Sequence, residues 1–262
     1  MTFFDSVVMG VVQGLTEFLP VSSSGHLALF RELLGVGLAE DVGFEVAVHT
    51  GTLIAVLIYF RRQLLKLAVD IIRDTDDGRR WALYLIIATI PAGIVGLWIK
   101  DDVERLFNDL ALVGAAWIFT AVVLLISERL SASKIEPGKM GSLRALFIGA
   151  AQAAAILPGV SRSGSTIAAG LLSGVERRGA VGFSFILSLP VIAGAIILTL
   201  KDWSAGAVSL GLPHLAGMTA ALISGYAAIA WMLRIVSNRK LFWFAIYCFI
   251  LGAGTLIYTF GK

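Results

Sequence analysis

Apolar residues run along this chain in long, nearly uninterrupted blocks, and the polar residues fall between them in short clusters. Six blocks, about 43–60, 82–99, 110–127, 181–200, 212–233 and 241–259, meet the roughly 17–25 residues that a helix needs to cross a bilayer. Each is predicted to be a transmembrane helix. Two further apolar regions, about 6–36 and 145–175, are interrupted by Pro20-Val21-Ser22-Ser23-Ser24-Gly25-His26 and by Pro158-Gly159-Val160-Ser161-Arg162-Ser163-Gly164-Ser165-Thr166. At membrane depth irregular backbone persists only where protein buries it or water fills a cavity, so both breaks mark a candidate site.

Charge threads the blocks through the membrane. The segment Arg61 to Arg80 carries Arg61, Arg62, Lys66, Arg73, Arg79 and Arg80; Arg129 to Arg144 adds Lys134 and Lys139; Arg234, Arg239 and Lys240 form a third basic group. The positive-inside rule puts all three on the cytoplasmic side. The alternate connections hold Lys100 and Arg105 among Asp101, Asp102, Glu104 and Asp109, or only Lys201 beside Asp202, and belong outside with both termini. The region 6–36 then starts and finishes outside, and 145–175 starts and finishes inside. Each is expected to be a re-entrant helix-break-helix hairpin; a full, kinked span is the alternative and would put the charge groups on inconsistent sides.

An internal repeat supports the hairpins independently of charge. At a constant offset of 139 residues, Gly10 matches Gly149, Gln13 matches Gln152, Val21-Ser22 match Val160-Ser161, and Ser24-Gly25 match Ser163-Gly164. The register continues through Leu33 with Leu172, Gly35-Val36 with Gly174-Val175, and Val42-Gly43-Phe44 with Val181-Gly182-Phe183. Three spans separate the copies, so the second is inserted upside down and the two tips can meet near the midplane. The expected fold is therefore all-α and integral to the membrane: one domain, with repeats of about 1–130 and 140–262, six spans and two re-entrant hairpins.

Composition agrees. A 58% hydrophobic content with 15% charge lies outside the range of soluble globular chains, and no nucleic-acid partner is expected. Cys248 is the single cysteine, so no intramolecular disulfide can form. Residues 1–20 lack the basic start of a cleavable signal peptide and are expected to be retained. Trp81, Trp98, Trp203 and Tyr258 lie near span ends and are expected to anchor at the interface.

Ionisable groups inside apolar segments are costly and therefore functional candidates: Glu17, His26, Glu45, His49 and Arg162. Gln13 and Glu17 share one helix face, and Ser23 and His26 are three apart across the break, so the four can converge. Each Ser-Gly break precedes a helical run, whose free N–H groups and dipole suit an anion. Arg162 adds a planar fork matched to phosphate oxygens. Glu17 and Arg162 could also form a buried ion pair locking the hairpins. His49 is expected to be a satisfied histidine packed against a tip, and Glu45 to reach water at the outer end of its span.

Gln13-Gly14-Leu15-Thr16-Glu17-Phe18-Leu19-Pro20-Val21-Ser22-Ser23-Ser24-Gly25-His26 and Pro158 through Thr166 closely resemble the two signature motifs of the bacitracin-resistance type of bacterial undecaprenyl-diphosphate phosphatase, over essentially the whole chain. The resemblance implies hydrolysis of undecaprenyl diphosphate to undecaprenyl phosphate and inorganic phosphate. It also implies a bacterial inner-membrane location with the site open to the periplasmic side, and a divalent cation, Mg2+ or Ca2+. By position, Glu17, Ser23, His26 and Arg162 are the expected catalytic residues, with Glu17 the metal ligand. Gln13, Ser22, Ser24, Gly25, Ser161, Ser163, Gly164 and Thr166 are expected to bind substrate. Gln13 stands where the family has Glu or Gln, which leaves Glu17 as a lone carboxylate. A carrier moving a polyprenyl phosphate headgroup across the bilayer is the competing reading, since broken-helix inverted repeats also build transporters. A homodimer is left open.

Overall fold

The computed structural model describes residues 2–34, 42–99, 105–106, 109–131, 134–202, 211–237 and 240–261. Gly35, Val36, Lys100, Asp101, Asp102, Glu104, Trp203 and Arg239, which enter the expectations above, lie outside the described residues. Eleven α-helices form among those described: α1 Phe3–Phe18, α2 Ser23–Leu34, α3 Val42–Tyr59, α4 Arg61–Ile72, α5 Asp76–Trp98, α6 Leu110–Leu130, α7 Ser142–Ala154, α8 Arg162–Leu172, α9 Arg177–Asp202, α10 Leu212–Ser237 and α11 Leu241–Phe260. Five of them, α5, α6, α9, α10 and α11, are each long and apolar enough to cross a membrane. A sixth crossing exists if α3 and α4, bent by 72° at Phe60, count as one. The chain is an all-helical, multi-pass membrane protein.

Local chemistry sets the helix ends. Thr2 and Asp5 cap α1 reciprocally, with Asp5 N–H donating to Thr2 Oγ1 at 3.2 Å and Thr2 N–H to Asp5 Oδ2 at 3.0 Å. Thr75 caps α5 and Asp109 caps α6. The helix α4 was not expected from the apolar blocks, because its basic residues mask a short amphipathic pattern; Leu65, Val69 and Ile72 stay exposed on one face. The Thr75 cap also starts α5 six residues ahead of the apolar block. Of the tryptophans expected at the interface, Trp81 is half-buried and packs on Phe183, with ring centroids 5.6 Å apart, and Trp98 is 85% exposed.

Small residues fix the relative directions of the helices. A Cβ on Gly10 would collide with Gly217, one on Gly14 would reach Gly225 N at 2.8 Å, and Gly225 packs on Phe18. The helix α1 therefore runs alongside α10 in the same direction and stops partway down it. In the same way α7 lies on α5 through Gly149 and Ala88. The helix α2 turns back, so that Leu27 packs with Met9, Phe44 and Val48. The start of α7 and the end of α8 are tied by Arg144, whose Nε donates to Ser173 O at 2.9 Å.

The basic segments gather at one end of the molecule. Lys66 and Lys139 line one hollow there, and Arg62 and Arg178 line the adjoining one. Arg177 joins Glu128 at 3.0 Å, Ser131 Oγ at 2.8 Å and Val236 O at 3.4 Å, tying the start of α9 to the ends of α6 and α10. At mid-length the main core, with Phe18, Trp117, Phe183 and Phe185 fully buried, surrounds the two Ser-rich breaks.

Candidate functional site

The two breaks are built alike. Gly25 N–H donates to Ser22 Oγ at 3.2 Å, and at the matching positions Gly164 N–H donates to Ser161 Oγ at 3.0 Å. Ser22 and Ser24 hydroxyls pair at 3.1 Å, as do Ser161 and Ser163 at 3.2 Å. Each serine is thus an N-cap for the helix that follows. The other first-turn N–H groups of α2 and α8 have no acceptor in their own helix.

The tips also touch each other symmetrically. A Cβ on Gly25 would lie 3.2 Å from Gly159 Cα, and one on Gly164 would lie 3.3 Å from Pro20 Cβ. Gly25 matches Gly164 and Pro20 matches Gly159 in the repeat register, so one contact becomes the other on exchanging the copies. The two contacts are therefore reciprocal in the repeat register. Gly159 turns with φ 89°, open to glycine, and a side chain there would also meet Ala116. In the first copy the left-handed residue is Ser22, φ 66°. A non-glycine residue in that region is costly and concentrates at functional sites.

Glu17, at the end of α1, is the hub. Its Oε2 accepts from Ser23 Oγ at 2.7 Å and from Gln13 Nε2 at 3.0 Å; its Oε1 accepts from Arg162 Nη2 at 2.5 Å. Ser23 and Arg162 are matching positions of the two copies, so both halves of the molecule deliver a donor to one carboxylate. Side-chain exposure is 8% for Glu17 and 14% for Arg162. His49 of α3 lies within electrostatic range of the same carboxylate, and its Nδ1 bonds to Glu45 O at 2.9 Å. Three buried polar atoms have no partner among the described residues, Gln13 Oε1, Gln152 Oε1 and Arg162 Nη1. Two of them flank Glu17, and buried polar groups without partners are rare enough to point to an absent ligand.

The remaining expected residues are placed as follows. Ser163 Oγ donates to Leu19 O at 3.0 Å and ties one tip to the other. Thr166 faces away, bonded to Arg162 O at 2.8 Å and to Ser184 Oγ at 2.6 Å. His26 lies at the tip but bonds elsewhere: Nδ1 to Ser22 O at 2.7 Å and Nε2 to Tyr247 Oη at 2.7 Å. Because a carbonyl only accepts, Nδ1 carries the proton, and Nε2 accepts from the tyrosine.

Three supporting residues were not legible in the motifs. Trp117 Nε1 donates to Val21 O at 2.8 Å and its ring meets His26 edge-on. Thr120, one turn further along α6, accepts from Ser161 N–H at 3.1 Å and reaches Gly159 O at 3.4 Å. Tyr247 of α11 lies edge to edge with His26, nearly coplanar at an interplanar angle of 5°. The only signal for them was a polar atom inside an apolar span.

Among the described residues no group of three or more His, Cys, Asp or Glu could hold a metal ion. Glu17 and the unpartnered Gln13 Oε1 offer oxygen ligands alone. Such a set fits a hard cation that takes its other ligands from phosphate and water.

Comparison with known proteins follows the same residues. The family described as Bacitracin resistance protein BacA matches residues 6–254. A protein named Undecaprenyl-diphosphatase from Methanobrevibacter smithii is 42% identical, with 96% of each chain covered. Proteins of the same name from Syntrophotalea carbinolica and Carboxydothermus hydrogenoformans are 42% and 41% identical, covering 96% and 98% of this chain and 97% of each relative. With both motif-bearing tips inside the matched region, the chain belongs to the bacitracin resistance protein BacA family.

Proposed function

We propose that this protein is a membrane phosphatase that hydrolyses undecaprenyl diphosphate to undecaprenyl phosphate and inorganic phosphate where the two tips meet. The observation that carries this reading is the convergence of Ser23 Oγ and Arg162 Nη2 on Glu17, beside an unpaired buried guanidinium nitrogen. A hydroxyl, a base and an anion-binding fork within one contact shell is what phosphoryl transfer requires.

The proposed architecture is six spans with two re-entrant hairpins, α1–α2 and α7–α8, as an inverted repeat. It is supported by the reciprocal tip contacts and by the return of α2 onto Met9. The gathering of the basic segments at one end supports a cytoplasmic assignment for that end. In the inner membrane, α1 then enters from the outer side and the site opens toward the periplasm.

In the mechanism, Arg162 and the first-turn N–H groups of α2 and α8 receive the diphosphate, its charge matching the guanidinium and the helix ends. Nη1 is free to bond a phosphate oxygen, and as the diphosphate competes for the guanidinium a Glu17 oxygen is released. Ser23 Oγ attacks the terminal phosphorus while its proton passes to Glu17, along the 2.7 Å bond already in place. The bond from phosphorus to the bridging oxygen breaks, and the lipid monophosphate leaves. Water then attacks the phosphoserine, the bond from Ser23 Oγ to phosphorus breaks as the proton held by Glu17 returns to Ser23, and the product leaves as dihydrogen phosphate carrying both of the water's protons. No hydrogen bond among the described residues joins His26 to Ser23 or Glu17, so proton transfer is assigned to Glu17 and His26 is given the shaping of the tip. Mg2+ or Ca2+, held by Glu17 and Gln13 Oε1 together with the diphosphate, would neutralise charge on the phosphate oxygens.

The test is phosphate release from undecaprenyl diphosphate by purified protein in detergent, where a carrier would release none. Chelation of divalent cations should lower turnover about a hundredfold, reversed by added Mg2+. No phosphate release in the presence of Mg2+ and Ca2+ would refute the phosphatase reading.

A further inference from the structure

A groove of about 590 Å³ opens beside the first tip. That size is within the roughly 300–1,000 Å³ of small-molecule sites. Its wall comes from Leu19 and Val21 of the tip, Trp231 and Ile235 of α10, and Trp243 and Tyr247 of α11. Trp231, Trp243 and Tyr247 are 51%, 65% and 43% exposed, an aromatic face that packing within the chain leaves uncovered. Lys240 stands at the far rim.

We propose that this groove seats the part of the polyprenyl chain next to the diphosphate, and that Tyr247 couples its occupancy to His26. The inference rests on the phosphatase reading for the identity of the occupant. Three observations carry it. Leu19 and Val21 belong both to the groove and to the tip, and Leu19 O receives Ser163 while Val21 O receives Trp117, so groove and catalytic backbone are one continuous surface. Apart from Thr16 and Lys240 the wall is apolar and aromatic, which suits an unsaturated hydrocarbon. The groove also leads in the right direction. With the headgroup reaching the tips from the outer side, the chain continues toward the opposite end, where α10 ends and α11 begins. Trp231 and Ile235 lie in the last turns of α10, and Trp243 and Tyr247 in the first turns of α11.

Tyr247 gives the seat a consequence for the site. The residue lines the groove, while its hydroxyl donates to His26 Nε2 at 2.7 Å and its ring lies nearly coplanar with the imidazole, edge to edge. A chain lying against the ring fixes that hydroxyl and, through it, the imidazole whose Nδ1–H is held by Ser22 O. Ser22 is the left-handed residue that starts the catalytic break. Tyr247 is thus a positioning residue, acting through His26 and Ser22.

The experiment uses the full chain in detergent, titrated with a long-chain and a three-isoprene polyprenyl monophosphate, with dissociation constants read by native mass spectrometry. In parallel, 15N spectra of labelled histidine are resolvable because the chain has only three, His26, His49 and His214. The wild type should favour the long chain, and Ile235→Trp, which fills the groove, should lower that preference about tenfold. Trp231→Ala carries the same expectation should the bulkier variant not fold. Tyr247→Phe keeps the wall and so keeps the preference, but should lose the shift of the His26 Nε2 resonance that the long chain produces in the wild type. An unchanged preference in both groove variants, as for an ordinary bilayer lipid in the groove, overturns the seat. The same His26 response in Tyr247→Phe overturns the coupling. Both readouts use the monophosphate and need no turnover, so they stand apart from a failure of phosphate release.

Discussion

The two Ser-rich tips share a scaffold and divide the chemistry. Both cap their second helix with a serine that holds the N–H three residues on, both pair two serine hydroxyls, and each rests on the other through a small residue. The reactive positions differ. Where the first copy has Glu17 the second has Ile156, where it has Ser23 the second has Arg162, and where it has His26 the second has Ser165. Duplication therefore explains the shape of the site, and divergence explains what it can do. A symmetric pair of acids would repel each other, and a symmetric pair of arginines would have no base. One carboxylate, accepting from a hydroxyl of one copy and a guanidinium of the other, satisfies both halves.

The comparison predicts that the matching positions Ser23 and Arg162 fail differently when truncated. Arg162→Ala removes the anion fork and leaves a buried carboxylate without its cation. Breaking such a pair costs about 3–5 kcal/mol of stability, and loss of an arginine from a phosphoryl-transfer site lowers kcat about 10³–10⁵-fold. Ser23→Ala removes the proposed nucleophile yet leaves Glu17 its ion pair, so turnover should fall about as far while the midpoint of thermal unfolding moves only a few degrees. Phosphate release and thermal unfolding, measured together on both variants, check the division. Equal destabilisation by the two changes would show that the carboxylate does not depend on the second copy.

Much of this difference was legible before any coordinates. The serine breaks, the repeat register and the pairing of Glu17 with Arg162 follow from polar residues standing out against apolar sequence, where each has a cost and so a reason. The residues that hold the tips were not legible. Trp117 and Tyr247 look like any other aromatics in a span, and the partners that give them meaning, Val21 and His26, lie 96 and 221 positions away. The bend after Tyr59 was hidden for another reason. The helix α4 has no buried residue; its apolar stripe is short and interleaved with charges, which read as a loop. Sequence pattern records what a segment must bury, and these features depend on what other segments bring to it.

Crowding where the tips touch sharpens the contrast in a second way. A methyl on Gly25 would lie 2.8 Å from Trp117 Cζ2, against a fully buried and immobile indole. Overpacking of that kind costs about 1–3 kcal/mol. At the matching Gly164 the nearest atom is Ser161 Cβ at 3.0 Å, and the gain in helix propensity, at most about 1 kcal/mol from Gly to Ala, offsets part of the strain. Gly25→Ala should therefore lower the thermal midpoint clearly, and Gly164→Ala by less than half as much. Similar losses at the two glycines would mean that α6 presses on both tips alike.

The smallest contrast concerns α6 itself, which holds the first tip by Trp117 and the second by Thr120. Trp117→Phe strands Val21 O in the core, a loss of about 1–3 kcal/mol for a buried group without its partner; it also removes the edge contact with His26, so turnover should fall several-fold. Thr120→Val is nearly isosteric; it takes the acceptor from the Ser161 N–H and the long 3.4 Å contact from Gly159 O. That N–H points at the place the substituted side chain still fills, with Ser161 itself buried, so a bound anion cannot replace the lost acceptor. Thr120→Val should therefore cost about 1 kcal/mol with or without inorganic phosphate, less than Trp117→Phe, and leave turnover nearer the wild type. Thermal unfolding of both variants with and without phosphate measures this, and a Thr120→Val defect that phosphate repairs would show that the Ser161 N–H is open to the anion after all.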